Sequence, residues 1–86
     1  MVNKEPLLSP AQVRAARSWL SWSQDELSTR AAVSQKSIAR LELGRSVPHA
    51  GTLTKIQHAF ENAGIEFLYR GMIATGINTR QQTPSS

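Results

Sequence analysis

The sequence predicts an all-α protein, a compact bundle of four or five short helices, with a short C-terminal β-hairpin or edge strand as an alternative for its end. Three observations lead to this prediction. The chain has 86 residues, enough for a single domain around one core. Aromatic residues make up only 6% of the composition, so aliphatic side chains must form most of the core, which suits short, closely packed helices. A helix-start signal recurs at Ser9, Ser23 and Ser34.

The chain divides by composition into four stretches. We expect a flexible N-terminus over residues 1–8 and a folded domain over 9–69. Residues 70–79 are expected to form a C-terminal extension, and a strand is one alternative for its structure. A disordered tail is expected over 80–86, because this stretch is polar, contains Pro84 and lacks apolar periodicity.

The first helix is predicted to begin after Ser9. Ser9 is the N-cap, Pro10 suits the first helical position, and Gln12 lies where it can complete a capping box. Apolar residues spaced three and four apart should face inward, and they are Val13, Ala16 and Leu20. We expect this helix to stop near Ser21.

The second helix repeats the signal after Ser23. Glu26 follows three residues after the cap, which predicts a second capping box, and Asp25 adds negative charge at the positive end of the helix. Because Ser34 offers the next cap, this helix can extend only to about Ala31.

The third helix is predicted from Ser34 to Leu43, with Gly44 as a left-handed C-terminal cap. Its first turn, Ser34-Gln35-Lys36-Ser37, has one cation and no acid, which is unfavourable at the positive end of an isolated helix. A nearby phosphate or base edge would reverse this effect. The alternative is an ordinary solvated helix end.

The rest of the domain is predicted to contain a fourth helix and a strand. The helix should begin between His49 and Thr52 and end at Gly64. Its apolar face is formed by Leu53, Ile56, Phe60 and Ala63.

Residues Ile65 to Tyr69 then alternate as a strand does, and Gly71 and Gly76 bracket a predicted turn before Ile77. An exposed strand edge favours association, so we expect it to pair with a second subunit or to fold back on the helices.

The charge of the chain favours an anionic partner. Ten Lys and Arg residues against six Asp and Glu give a net charge of +4. Between residues 30 and 58 a single acid, Glu42, accompanies five cations, which are Arg30, Lys36, Arg40, Arg45 and Lys55. Composition by itself is equally consistent with ordinary solubility charge. The absence of cysteine, of a membrane span and of a signal peptide predicts a soluble, cytoplasmic protein.

The second and third helices have the pattern of two helices that cross steeply around a short turn. Four apolar side chains would form the wedge between them, namely Leu27, Ala31, Ile38 and Leu41. Val33 would fill the turn, and the small Ser28 would let the helices approach closely.

This stretch, WSQDELSTRAAVSQKSIARLELGRSVP, resembles the Cro/CI-type (XRE) helix-turn-helix family of phage and bacterial regulators, which has the lambda-repressor-like fold. The resemblance covers about Val13 to Phe67. The matching positions are Arg17, Ser23-Gln24, Leu27, Val33-Ser34, Ser37-Ile38, Arg40, Glu42, Gly44, Pro48, Thr52-Leu53 and Ala63-Gly64.

The resemblance implies a site as well as a fold. It places base reading on Gln35, Lys36 and Ser37, and it makes Gln24 a phosphate contact that positions Gln35. The full set of expected DNA-binding residues is Ser23, Gln24, Ser34, Gln35, Lys36, Ser37, Arg40 and Arg45. The residues assigned to structure are Arg17, Leu27, Val33, Ile38, Leu41, Glu42 and Gly44, with Arg17 and Glu42 paired across the first and third helices.

The donor chemistry of the reading residues agrees with this assignment. A glutamine such as Gln35 can bond bidentately to adenine, and Lys36 can donate to the acceptors of guanine. Arg40, four residues after Lys36, could extend the reading face or clamp a phosphate, and Arg45 is a candidate phosphate contact. Plain surface charge is the alternative for each.

Two positions depart from the family pattern. Ala32 stands in the turn where glycine is usual, and a left-handed alanine costs roughly 1 kcal/mol. Leu43 stands where a small or polar residue is usual, so it is a candidate for contact with something beyond the domain.

The sequence gives no reason to expect an enzyme, a metal site or a cofactor. His49 and His58 lack nearby cysteine ligands, and Asp25, which a Ser/His/Asp triad would require, belongs to a helix start. Trp19 and Trp22 flank the first interhelical turn, where we expect both to serve packing rather than base stacking.

The leading hypothesis is therefore a transcriptional regulator, acting as a repressor or an activator, that binds a double-stranded operator as a homodimer. The rival hypothesis keeps the fold but assigns it a protein partner, in the manner of an antiactivator or an antitoxin. Leu43 and the residues from Tyr69 to Ile77 are the features that would serve such a partner.

Overall fold

The computed structural model describes residues 8–45, 48–71 and 73–79. These residues form six elements, which are α1 (Pro10–Leu20), α2 (Gln24–Ala31), α3 (Gln35–Glu42), α4 (Ala50–Asn62), β1 (Ile65–Arg70) and β2 (Ile73–Thr79). The predicted flexible N-terminus and disordered tail lie outside the described residues, except for Leu8, which is buried. Among the described residues, no helix has the length and apolar character needed to cross a membrane.

The protein is mostly helical but not strictly all-α. β1 and β2 form an antiparallel hairpin, so the hairpin alternative is the correct one for the end of the chain. β1 buries Ile65 and Phe67 in the core that the helices share, and β2 supplies the backbone partners that β1 needs.

The three serine caps form as the sequence predicts. Their hydroxyls accept hydrogen bonds of 3.0–3.1 Å from backbone N–H groups three residues later. Gln12 completes the first capping box, because its Oε1 accepts from the backbone N–H of Ser9 at 3.0 Å. The second capping box, predicted between Ser23 and Glu26, does not form, so this prediction is wrong. The carboxylate of Glu26 instead pairs at 3.0 Å with Arg30, which lies one turn later on the same face of α2.

An aromatic stack lies at the centre of the core. The ring of Phe60 stacks on Trp22 at a centroid distance of 5.5 Å and meets the edge of Phe67 at 5.7 Å. Trp19 is 65% exposed, so the prediction that both tryptophans pack inside is wrong for Trp19. The left-handed conformation of Ser21 redirects the chain after α1, and Trp22 enters the core instead.

The hairpin folds back on α1 through one buried side chain. A bulge between Leu68 and Tyr69 interrupts the strand register. The Nε2 of Gln12 donates there to the carbonyls of Leu68 at 3.1 Å and Gly76 at 2.9 Å. Gly71 lies in the turn with a positive φ. The prediction that Gly76 also flanks the turn is wrong, because Gly76 lies within β2.

Candidate nucleic-acid interface

The turn between α2 and α3 is closed by local hydrogen bonds. Ala32 takes the left-handed conformation, with φ of 57°, that its position requires. The backbone N–H of Val33 donates to the carbonyl of Ser28 at 3.1 Å, and the hydroxyl of Ser28 donates to the carbonyl of Val33. Ser28 thus fastens the turn as well as allowing close approach, a role that its small size did not reveal.

The angle between α2 and α3 is fixed by a buried wedge. The side chains that form it are Leu27, Ala31, Ile38 and Leu41. Val33 is half-buried against the same core. Because one face of α3 is held in this way, its opposite face is turned to solvent.

The first turn of α3 presents the predicted reading residues. Gln35 and Lys36 are exposed, and Ser37 is half-buried. Ser34 caps the helix by accepting from the backbone N–H of Ser37, and its hydroxyl donates to the hydroxyl of Ser37 at 2.9 Å. Ser37 is therefore engaged with the cap, while Gln35 and Lys36 are open to a ligand.

A chain of four side chains connects the interior to this surface. The guanidinium of Arg17 donates to both carboxylate oxygens of Glu42, at 2.7 and 3.0 Å. The Nε2 of Gln24 donates to the same carboxylate at 3.0 Å. The Nε2 of Gln35 then donates to the Oε1 of Gln24 at 2.7 Å. The structure thus joins Arg17 to Glu42 and Gln24 to Gln35, the two pairings that the resemblance implies.

Two contacts of this network had no signal in the sequence. The third nitrogen of the Arg17 guanidinium, Nη1, donates to the carbonyl of Trp22 at 2.8 Å, which ties α1 to the start of α2. Arg14 donates to the backbone carbonyl of Glu42 at the end of α3. Arg14 reaches a partner 28 positions away, and the contact of Arg17 with Trp22 depends on the direction that the chain takes after α1, so the sequence pattern indicated neither partner.

The charges in this network favour an ionised Glu42. Burial acts to raise the pKa of the Glu42 carboxyl, but hydrogen bonds from Arg17 and Gln24 and the nearby positive charges outweigh it, so this pKa lies below its ordinary value. The hydrogen bond to Glu42 raises the pKa of Arg17. The pair therefore stays charged at neutral pH.

Exposed cations without acidic partners lie along α3 and just beyond its end. Lys36, Arg40 and Arg45 are exposed, and within the described ranges no carboxylate forms an ion pair with any of them. Ser23, also exposed, caps α2 beside Gln24. This surface can accept negative charge without displacing an internal partner.

The remaining candidates do not add to this site. His49 and His58 are exposed, and in the part of the chain that the structure describes no three His, Cys, Asp or Glu residues converge as a metal site would require. Leu43 is 69% exposed at the end of α3.

A comparison with family models agrees with this geometry. A family model described as a helix-turn-helix domain matches residues 11–71, which is most of the chain. The protein therefore belongs to this family of helix-turn-helix domains, which is of the Cro/CI (XRE) type. A search among curated proteins gave no match.

Proposed function

We propose that this protein is a sequence-specific DNA-binding transcriptional regulator that inserts α3 into the major groove of an operator. The observation that carries the proposal is the first turn of α3. There Gln35 and Lys36 are exposed beside Gln24, and Lys36, like Arg40 and Arg45 further along, has no acidic partner in the described residues. A helix N-terminus with free donors and surplus positive charge suits base edges and phosphates.

The surrounding residues have distinct roles in this proposal. Gln35 and Lys36 read base edges, and Ser37 contributes to the reading surface from the helix cap. Ser23, Ser34, Gln24, Arg40 and Arg45 contact the phosphate backbone and fix the orientation of α3. Occupancy of the operator then regulates transcription, through promoter overlap or through contact with the polymerase.

We further propose that the protein binds as a homodimer. A symmetric pair would place two copies of α3 in successive major grooves, about 34 Å apart, on an inverted repeat. Selection of bound sequences from a random DNA pool tests specificity and symmetry together. An enriched inverted repeat is the expected result, and an enriched single half-site would contradict the dimer.

A triple variant tests whether α3 is the reader. Gln35→Ala, Lys36→Ala and Arg40→Ala together should abolish specific binding to the selected sequence. Arg70→Ala, which removes an exposed cation from the hairpin, is the control and should leave it intact. Unchanged operator binding by the triple variant would exclude α3 as the reader.

A protein-binding role on the same fold is the second candidate. It is favoured by exposed apolar side chains outside the reading surface, since Leu43 and Ile73 are each 69% exposed. Salt dependence separates the two roles. DNA affinity should fall steeply as salt rises, in proportion to the phosphates neutralised, and a flat dependence would favour the protein partner.

A further inference from the structure

The ion pair between Arg17 and Glu42 is connected to the reading surface and not only to the core. Glu42 is 4% exposed, Gln24 is half-buried and Gln35 is exposed, so the chain of hydrogen bonds runs from a buried charge to solvent. We propose that this ion pair is a positioning element for base reading, which fixes the orientation of the Gln24 and Gln35 amides and thereby the base that Gln35 selects. The proposal rests on the proposed DNA-binding function.

The chemistry of the carboxylate determines the orientation of the first amide. An ionised carboxylate can only accept hydrogen bonds, and Arg17 keeps Glu42 ionised. Gln24 must therefore turn its Nε2 toward Glu42, which leaves its Oε1 pointing away. The side-chain amide of an isolated glutamine has no such preference, because its two ends are nearly equal in shape.

The orientation of Gln24 then determines that of Gln35. The Oε1 of Gln24 is an acceptor, so Gln35 must present its Nε2, and the distance between these atoms is 2.7 Å. One Nε2 proton and the Oε1 of Gln35 remain free. A donor and an acceptor side by side match the N7 and N6 groups of adenine in the major groove. The second Nε2 proton of Gln24 remains available for a phosphate oxygen.

Replacing the carboxylate by an amide should remove this control. In Glu42→Gln, the new amide can either accept from Gln24 or donate to it, so Gln24 can take both orientations. Gln35 is then free to offer its donor and acceptor in either order. The predicted consequence is a loss of base discrimination that exceeds the loss of overall affinity.

The test compares affinities for operators that differ only at the base read by Gln35. That base is identified as the position where Gln35→Ala loses its preference. The wild-type protein should prefer adenine there by roughly 5- to 150-fold. In Glu42→Gln this ratio should fall to below about 3-fold, while the preferences at other positions persist.

Two further variants make the test specific. Gln24→Met removes the hydrogen bonds that connect Glu42 to Gln35 but leaves the Arg17–Glu42 pair intact. This variant should therefore lose the adenine preference even if Glu42→Gln folds poorly. Glu26→Gln is the matched control, because it makes the same charge change in the exposed pair with Arg30, and it should keep the preference. Folded Glu42→Gln and Gln24→Met variants that keep the adenine preference would overturn the proposal.

An NMR measurement of the free protein tests the same series of hydrogen bonds in the absence of DNA. The side-chain NH₂ signals of Gln24 and Gln35 should be shifted from random-coil positions in the wild type and in Glu26→Gln, and should move toward them in Glu42→Gln. Random-coil signals in the wild type would overturn the positioning role. Absence of any specific DNA binding by the wild type would instead overturn the proposed function, whatever the amide signals show.

Discussion

The guanidinium of Arg17 on α1 meets the carboxylate of Glu42 on α3 through two hydrogen bonds, at 2.7 and 3.0 Å. This two-point geometry fixes both the separation and the rotation of the two side chains, which a single contact would not do. The pair therefore sets how α3, the proposed reading helix, lies against α1.

Breaking this pair should destabilise the protein strongly. Arg17→Met keeps most of the aliphatic stem but leaves Glu42 buried without its counter-ion. Removing one partner of a buried pair costs about 3–5 kcal/mol, and we expect about 3 kcal/mol because the Arg17 side chain is 24% exposed. Urea denaturation at pH 7 measures the loss. Glu26→Gln breaks an exposed pair and should cost less than about 1 kcal/mol, so equal costs would contradict the prediction.

The stability of the protein should also fall at acidic pH because of Glu42. The folded state lowers the pKa of this carboxyl below its ordinary value of 4.5. The stabilisation is therefore fully present well above pH 4.5 and is lost as pH falls through the lower, folded-state pKa. Urea midpoints measured from pH 7 downward should decrease more steeply for the wild type than for Glu42→Gln. Parallel pH profiles would show that Glu42 does not contribute.

The contact between Gln12 and the hairpin should be the main polar link holding β1 and β2 to α1. Gln12→Ala leaves the carbonyls of Leu68 and Gly76 without their donor and removes half of the first capping box. We expect a loss of about 2 kcal/mol and faster hydrogen exchange in the hairpin amides. Gln57→Ala, which removes a pairing within α4, should cost less than about 0.5 kcal/mol. Unchanged hairpin exchange in Gln12→Ala would be evidence against this link.

The turn between α2 and α3 should become more stable with glycine. Ala32 has φ of 57°, a conformation that costs an alanine about 1–2 kcal/mol and a glycine very little. Glycine loses more conformational entropy on folding than alanine does, which offsets part of this gain. Ala32→Gly should therefore raise the free energy of unfolding by about 0.5–1 kcal/mol. Ala15→Gly, at an exposed position inside α1, should instead lose about 1 kcal/mol. A loss at both positions would mean that Ala32 is not strained.

The helix starts were predictable from the sequence because caps act over short distances. Ser9, Ser23 and Ser34 each bond to a backbone group three residues away, so the pattern contains both partners. The left-handed position of Ala32 was instead implied by the family pattern, in which glycine is usual there. The roles of the reading residues on α3 remain predictions.

Side chains with more than one available partner could not be assigned in this way. The carboxylate of Glu26 could accept a hydrogen bond from the backbone N–H of Ser23 or form an ion pair with Arg30. In the structure it pairs with Arg30. The sequence pattern did not distinguish Trp19 from Trp22 as the tryptophan that packs in the core. The left-handed turn at Ser21 directs Trp22 inward. These outcomes depend on where the chain goes after each helix.

The helices, the turn between α2 and α3 and the residues in the first turn of α3 could be predicted from the sequence, because they follow from interactions over a few residues. The contact of Gln12 with the hairpin and the connection of a buried ion pair through Gln24 to Gln35 arise only from packing between elements. Those partners are separated by 11 to 64 positions along the chain, and only packing brings them within hydrogen-bond distance.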